Sequence, residues 1–280
     1  MSSENILILG DILLDRYLVN SIYLHRIGCS GNIINVLEEL KSKYLLVTSF
    51  PKPDLINLIF DECAYKSGSL ITFPAEGKTN VVEYLVDDGV TKQIKDKPEP
   101  VRNINDLEMA EIIKNSCSKK ILVSDYGLGG IGPISKESLR EKFKDPAVIS
   151  FVDARKSNYL DYFGASWFFP TEDEFRAFLG QCPTKESLKE FSEILSAYGV
   201  ILKRGDRGLI KYTNGEESDF SIPNNYLAVD VFGAGDMLMA IIASTTKTKN
   251  LDDNTIRKAM LLLAEKLTVN GAGSLGFRDR

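Results

Sequence analysis

Short apolar runs bounded by turn residues alternate along this chain with longer segments whose apolar positions recur every three or four residues. Residues 6–10, 44–48, 120–124, 148–153, 167–169 and 200–203 are runs of Ile, Leu, Val and Phe without polar alternation, as expected of strands buried on both faces. Between them, 32–40, 54–63, 106–116, 136–143, 172–179, 185–198, 235–244 and 253–269 carry the helical spacing. Alternating strand and helix predicts an α/β fold with a mostly parallel central sheet covered on both faces. In such sheets, ligands bind beyond the carboxyl ends of the strands.

One stretch departs from the alternation. Residues 79–85 and 90–94 flank Asp87-Asp88-Gly89, which predicts a β-hairpin whose turn needs positive φ. Residues 92–100, charged and proline-bearing, are expected to form a solvated loop after it. There is no internal repeat, low-complexity tract or linker, so residues 1–280 are expected to form one domain.

Composition removes several classes of function. A chain of 280 residues, 44% hydrophobic and 26% charged, can bury one large core. With 34 basic against 39 acidic residues and no basic stripe, nucleic acid is not an expected partner. Cys29, Cys63, Cys117 and Cys182 are scattered and His25 is the sole histidine, which argues against a disulfide framework, a zinc site and a nucleophile–histidine pair. No apolar run is long enough for a membrane span, and 1–5 lack the basic flank of a signal peptide, so no membrane contact and a cytoplasmic location are expected. The chemistry then has to rest on carboxylates, backbone amides and lysine.

Asp230-Val231-Phe232-Gly233-Ala234-Gly235-Asp236 supplies such groups at the start of an apolar helix. Small residues at 233–235 let backbone wrap an anion, and the unpaired N–H groups of a helix start point at it. Asp236 at its mouth can serve as a general base or simply as a helix cap.

This turn resembles the Asp-x-x-Gly-Ala-Gly-Asp signature of the ribokinase-like, or PfkB, carbohydrate kinases. Further stretches follow in that family's order: Ile6 through Gly10-Asp11 to Leu14-Asp15-Arg16-Tyr17, then Ser124-Asp125-Tyr126, Pro170 to Phe175, and Lys203-Arg204-Gly205-Asp206-Arg207-Gly208. Gly-Asp-x-x-Leu-Asp-Arg-Tyr and Ser-Asp-Tyr are most similar to the kinase half of the bacterial bifunctional heptose-phosphate kinase/adenylyltransferases, and no nucleotidyltransferase half is expected after Arg280.

The resemblance implies a three-layer α/β/α fold with a small β-lid from about 11–30 and 79–96, reduced because 18–30 is short. It implies ATP and Mg2+, and a sugar or sugar phosphate as acceptor. A homodimer is the assembly it allows. Asp236 becomes the base, with Gly233, Ala234 and Gly235 as the anion hole. Lys203, Gly205 and Gly208 fall against the nucleotide, Lys203 being either a phosphate contact or the partner of a carboxylate. Thr171 stands for the Asn of an Asn-x-x-Glu motif whose Glu, here Glu174, organises magnesium through water; the same pair also reads as a helix capping box. Asp11, Asp15, Gly31, Asn35, Asp125 and Asp230 fall on the acceptor side, Asn32 replacing a glycine beside Gly31.

Other positions differ from the heptose kinases: 79–84 carries no base to grip a sugar phosphate, and Leu128 replaces a lysine. Arg155 and Lys156 remain as anion contacts or solvent-facing charges. The expectation is an ATP-dependent carbohydrate kinase. The alternative is a pseudokinase that binds sugar or nucleotide as a regulatory or partner subunit.

Overall fold

The structure, a computed structural model, describes residues 5–19, 21–63, 65–87, 90–95, 98–222 and 231–268. In chain order the strands are β1 (Ile6–Gly10), β2 (Ile12–Val19), β3 (Ile22–Cys29), β4 (Tyr44–Phe50), β5 (Gly68–Glu76), β6 (Val81–Asp87), β7 (Val90–Lys95) and β8 (Arg102–Asn103), followed by β9 (Lys120–Asp125), β10 (Ile149–Ala154), β11 (Trp167–Phe168), β12 (Gly199–Lys203), β13 (Leu209–Thr213) and β14 (Glu216–Phe220). The helices are α1 (Ser30–Glu39), α2 (Pro53–Glu62), α3 (Asp106–Asn115), α4 (Pro133–Phe143), α5 (Glu172–Leu179), α6 (Lys185–Ile194), α7 (Ala234–Thr245) and α8 (Asp253–Leu267).

Ten strands form the main sheet in the order β14-β13-β12-β11-β10-β9-β1-β4-β5-β8. Pairing is parallel from β12 through β5 and antiparallel at both margins. Alternation of side chains decides the layers. On β1, Ile6 and Ile8 pack into one core with α1, α2, α7 and α8, while Leu7 and Leu9 pack into the other with α3, α4, α5 and α6. Both faces are dry, which explains why the sequence runs showed no polar alternation.

Chain order reverses beside β1: β4 and β5 lie on one side, β9 to β12 on the other. The crevice opened by that reversal lies at the strands' carboxyl ends, where such folds hold ligands. A second sheet, ordered β3-β2-β6-β7, stands over that end. The expected 79–85/90–94 hairpin is β6–β7, and its Asp88-Gly89 turn lies outside the described residues. The strand region of 92–95 belongs to β7 rather than to a loop.

Helix boundaries follow local chemistry. Pro53 and Pro133 open α2 and α4, where a missing N–H costs nothing. Thr171 and Thr184 cap α5 and α6 through capping boxes, and Gly180, left-handed at φ 73°, ends α5. The sequence pattern ran α6 on to 198, but the helix stops at Ile194, and Ser196 takes the left-handed φ of 49°. β5 went unpredicted because it is only partly buried and carries Pro74, which lowers a strand's sequence signal.

Candidate active site

Asp236 occupies the first turn of α7, whose residues Met237 to Ala243 are buried on every side. A helix packed all round cannot shift its start without breaking core contacts, so the carboxylate's position is fixed by the core. Gly233 precedes α7 in the left-handed region at φ 76°, and a Cβ there would lie 2.3 Å from Asn32 Nδ2. Glycine is therefore required both for conformation and for close approach. The Ala234 N–H donates to the Val231 carbonyl at 3.2 Å and closes the turn, which puts the Gly235 and Asp236 amides at the open end of the helix.

Side chains from distant segments converge on Asp236, which has no exposed surface. Ser124 Oγ, at the end of β9, donates to Oδ1 at 3.0 Å. The Tyr126 hydroxyl donates to Oδ2 at 2.8 Å, and Asn32 Nδ2 donates to the same oxygen at 3.4 Å. Burial first and the nearby Asp153 charge second push the carboxyl up to about 7, against the opposing pull of the Tyr126, Ser124 and Lys203 contacts. A carboxylate so placed can exchange a proton near neutral pH.

Behind the turn, Lys203 Nζ at the end of β12 meets Asp153 Oδ2 of β10 at 2.5 Å, with both side chains largely buried. A Cβ on Gly235 would lie 2.9 Å from Lys203 Nζ and 3.2 Å from Asp153 Oδ2. The ion pair is thus pressed directly against the anion turn. Burial raises the Asp153 carboxyl and Lys203 draws it back down. At the start of α5, the Thr171 N–H and hydroxyl both donate to Glu174 Oε2 at 2.9 Å, and the Glu174 N–H donates to Thr171 Oγ1 at 3.2 Å. Glu174 Oε1 lies 4.0 Å from an Arg155 nitrogen.

Of these groups, Asp236, Gly233, Asn32, Tyr126 and Arg155 border a cavity of about 450 Å³. Gly233, Asp236, Cys29 and Asn32 contribute on the α7 and α1 side, and Asp15, Tyr17 and Tyr84 on the second sheet's side. Tyr17 and Tyr84 stack with centroids 4.7 Å apart, and Phe232 leans on Tyr84 at 5.0 Å. Arg155 lines the cavity with its guanidinium 5.3 Å over the Tyr126 ring.

The sequence model of the pfkB family carbohydrate kinases matches residues 138–274. The bifunctional protein HldE of Marinomonas sp. (strain MWYL1) is 25% identical over 272 residues, covering 88% of this chain and 56% of its own. That of Vibrio cholerae serotype O1 (strain M66-2) is 28% identical over 141 residues, covering 48% of this chain and 29% of its own. Over residues 138–274, just under half of its length, the chain is similar to the pfkB carbohydrate kinases. It spans about half the length of the Marinomonas relative, and less of others. Phosphofructokinase-2 from Escherichia coli in complex with potassium shares the fold with a TM-score of 0.79 at 10% identity, over 98% of this chain and 95% of that one. Arabidopsis thaliana ribokinase complexed with ribose and ATP gives 0.72 at 16% identity, over 97% and 95%. The three-layer α/β architecture is the one expected from the sequence.

Within that fold, the expected site residues divide. Asp15, Gly233 and Asp236 meet in the cavity, and Ala234, Gly235 and Lys203 stand immediately behind it. Asp11, Gly31, Asn35 and Asp125 do not line it. Asp11 accepts from the Leu128 and Gly130 N–H groups at 3.0 and 2.8 Å, and its carboxyl is pushed up to about 6 by burial and by Asp125. Asp125 accepts from the Tyr162 hydroxyl at 2.6 Å and the Gly127 N–H at 2.9 Å, and Lys136 Nζ lies 2.9 Å away. Both carboxylates anchor the loop after β9 instead of facing the cavity. Asn35 accepts from the Tyr65 hydroxyl, and Gly31 packs tightly on Ile27.

Gly205 and Gly208 have positive φ in the β12–β13 connection, and Gly208 is needed where the backbone passes the Phe220 carbonyl. Thr171 and Glu174 form the capping box. Asp230 lies outside the described residues. Ser124, Asp153 and Asn32 border Asp236 without having been assigned to its surroundings. Ser124 lay in the Ser124-Asp125-Tyr126 stretch and Asn32 beside Gly31, but nothing in the sequence tied either, or Asp153 near the end of β10, to Asp236.

Proposed function

We propose that this chain transfers the γ-phosphoryl group of ATP to a hydroxyl of a sugar or sugar phosphate, with Asp236 as general base. The observation that supports this reading most is a fully buried carboxylate, poised at about 7, on a cavity wall beside an open helix start. The acceptor hydroxyl donates to Asp236 and gives up its proton as its oxygen attacks phosphorus, while the bond to the ADP oxygen breaks. Ser124 and Tyr126 fix the carboxylate for that transfer, and the Gly235 and Asp236 amides face the charge that develops. Lys203 packs behind Gly235 with its charge balanced by Asp153, and the 203–208 segment is read as the loop beneath the nucleotide phosphates.

Among the described residues, no group of His, Cys, Asp and Glu gathers to hold a metal. Glu174 nevertheless keeps Oε1 outside its capping box, which suits a water of a magnesium carried in by the nucleotide. Magnesium supplies neutralisation of the phosphate oxygens when bound. The second sheet is read as the cover over the acceptor, with Asp15 accepting sugar hydroxyls. A binding subunit without turnover is not favoured, since the base and its donors are complete.

ADP release measured across a panel of sugars and sugar phosphates tests this. The expected result is stimulation by at least one acceptor class. Firm ligand binding without stimulation by any acceptor would overturn the kinase reading.

A further inference from the structure

Phosphate groups carry negative charge, yet the cavity places two carboxylates, Asp15 and Asp236, on its wall. Lys203 does not offset them from behind the turn, because Asp153 already balances it at 2.5 Å. Among the described lining residues, Arg155 is the one cation. Its backbone is pinned at the end of β10: the Arg155 N–H donates to the Asp125 carbonyl at 2.9 Å, and the Arg155 carbonyl accepts from the Asn158 N–H at 2.8 Å. Its guanidinium stacks 5.3 Å over Tyr126, the residue whose hydroxyl bonds Asp236, and lies 4.0 Å from Glu174 Oε1. The side chain remains 56% exposed. A stacked guanidinium keeps its planar fork of donors directed outward from its edges.

We propose that Arg155 grips a phosphoryl group in this cavity, and that the group is the one being transferred. The proposal rests on the kinase reading above. Two observations select the transferred group over a phosphate already present on the acceptor. Both neighbours of Arg155, Tyr126 and Glu174, belong to the main-sheet side where the base and the anion turn lie, whereas Asp15, Tyr17 and Tyr84 form the opposite wall. Tyr126 also couples the position of Arg155 to that of Asp236, its ring under the guanidinium and its hydroxyl on the carboxylate. As the bond to the ADP oxygen breaks and the bond to the acceptor oxygen forms, Arg155 stays protonated and holds non-bridging oxygens of the group that moves between them.

The test uses calorimetric binding to the full chain with magnesium, comparing ADP alone, ADP with aluminium fluoride as a mimic of the group in transit, and fructose 6-phosphate alone. Arg155→Met is expected to melt like the wild type and to change ADP affinity by less than about twofold, since ground-state nucleotide contacts are untouched. It should weaken the fluoride complex by about 10²-fold or more. Arg155→Lys should restore only part of that loss, because an ammonium cannot reproduce the fork. Equal weakening of ADP and its fluoride complex, or no change in either, overturns the proposal. Loss confined to fructose 6-phosphate assigns Arg155 to a phosphate on the acceptor and overturns the assignment to the transferred group. If the wild type itself binds the fluoride complex no better than ADP, the kinase reading fails, and the proposal falls with it.

Discussion

A carboxylate with none of its surface exposed is an expensive ion, and Asp236 has to be ionised to act as a base. Its carboxyl is held at about 7, so kcat/KM should rise through an acidic limb near neutral pH. The Tyr126 hydroxyl bonds the charged form, so Tyr126→Phe should move that limb to higher pH; a limb that stays in place would remove Tyr126 from the site's electrostatics. The same shift has a stability consequence of defined sign. The folded value of about 7 lies above the ordinary 3.8, so the stability linked to this group is present at low pH and lost as pH rises through 7. Asp236→Asn should therefore raise the melting temperature above pH 7, with the gain fading as pH falls toward 3.8. Thermal scans across that range check the sign. Asp236 and Gly233 were legible in the sequence because one contiguous turn carries them. Asp11 and Asp125 were not separable from ligand contacts, since a carboxylate just past a strand looks alike whether it meets a sugar or loop amides.

The element that places Asp236 is α7, and its start depends on a single left-handed residue. Gly233→Ala would place a methyl group against the Asn32 amide and force an L residue to φ 76°. A cost of about 1–3 kcal/mol in denaturant unfolding is expected, together with a fall in kcat as the first-turn amides tilt. Unchanged kcat would mean that the turn's geometry does not serve transfer. The helix itself was readable, predicted over 235–244 and found at Ala234–Thr245, because its apolar run is long and opens on small residues. β2 and β3 are legible only as a strand excursion within 11–30, yet each is eight residues long. Their apolar content is mixed, and β2, besides pairing with β3, pairs with β6, 67 positions away at Leu14 against Val81. Ser124, Tyr126 and Asn32 reach Asp236 across 112, 110 and 204 positions, separations at which spacing along the chain carries no information.

At the scale of the molecule, the site follows from topology. The reversal of strand order beside β1 opens the crevice, the carboxyl ends of β9, β10 and β12 deliver Ser124, Asp153 and Lys203 to it, and the second sheet closes its far side. Parallel strands buried on both faces were legible from their unbroken apolar runs, and from them the sheet and the end of it that holds ligands. The acceptor was not, because the cavity is lined by side chains brought together from separate parts of the chain. The account rests on Asp236 taking a proton from that acceptor. The most direct measurement is acceptor-dependent ADP release by the wild type and by Asp236→Asn, both verified as folded. The account predicts that the substitution lowers kcat by about 10²-fold or more while nucleotide binding persists; turnover near the wild-type rate would contradict it.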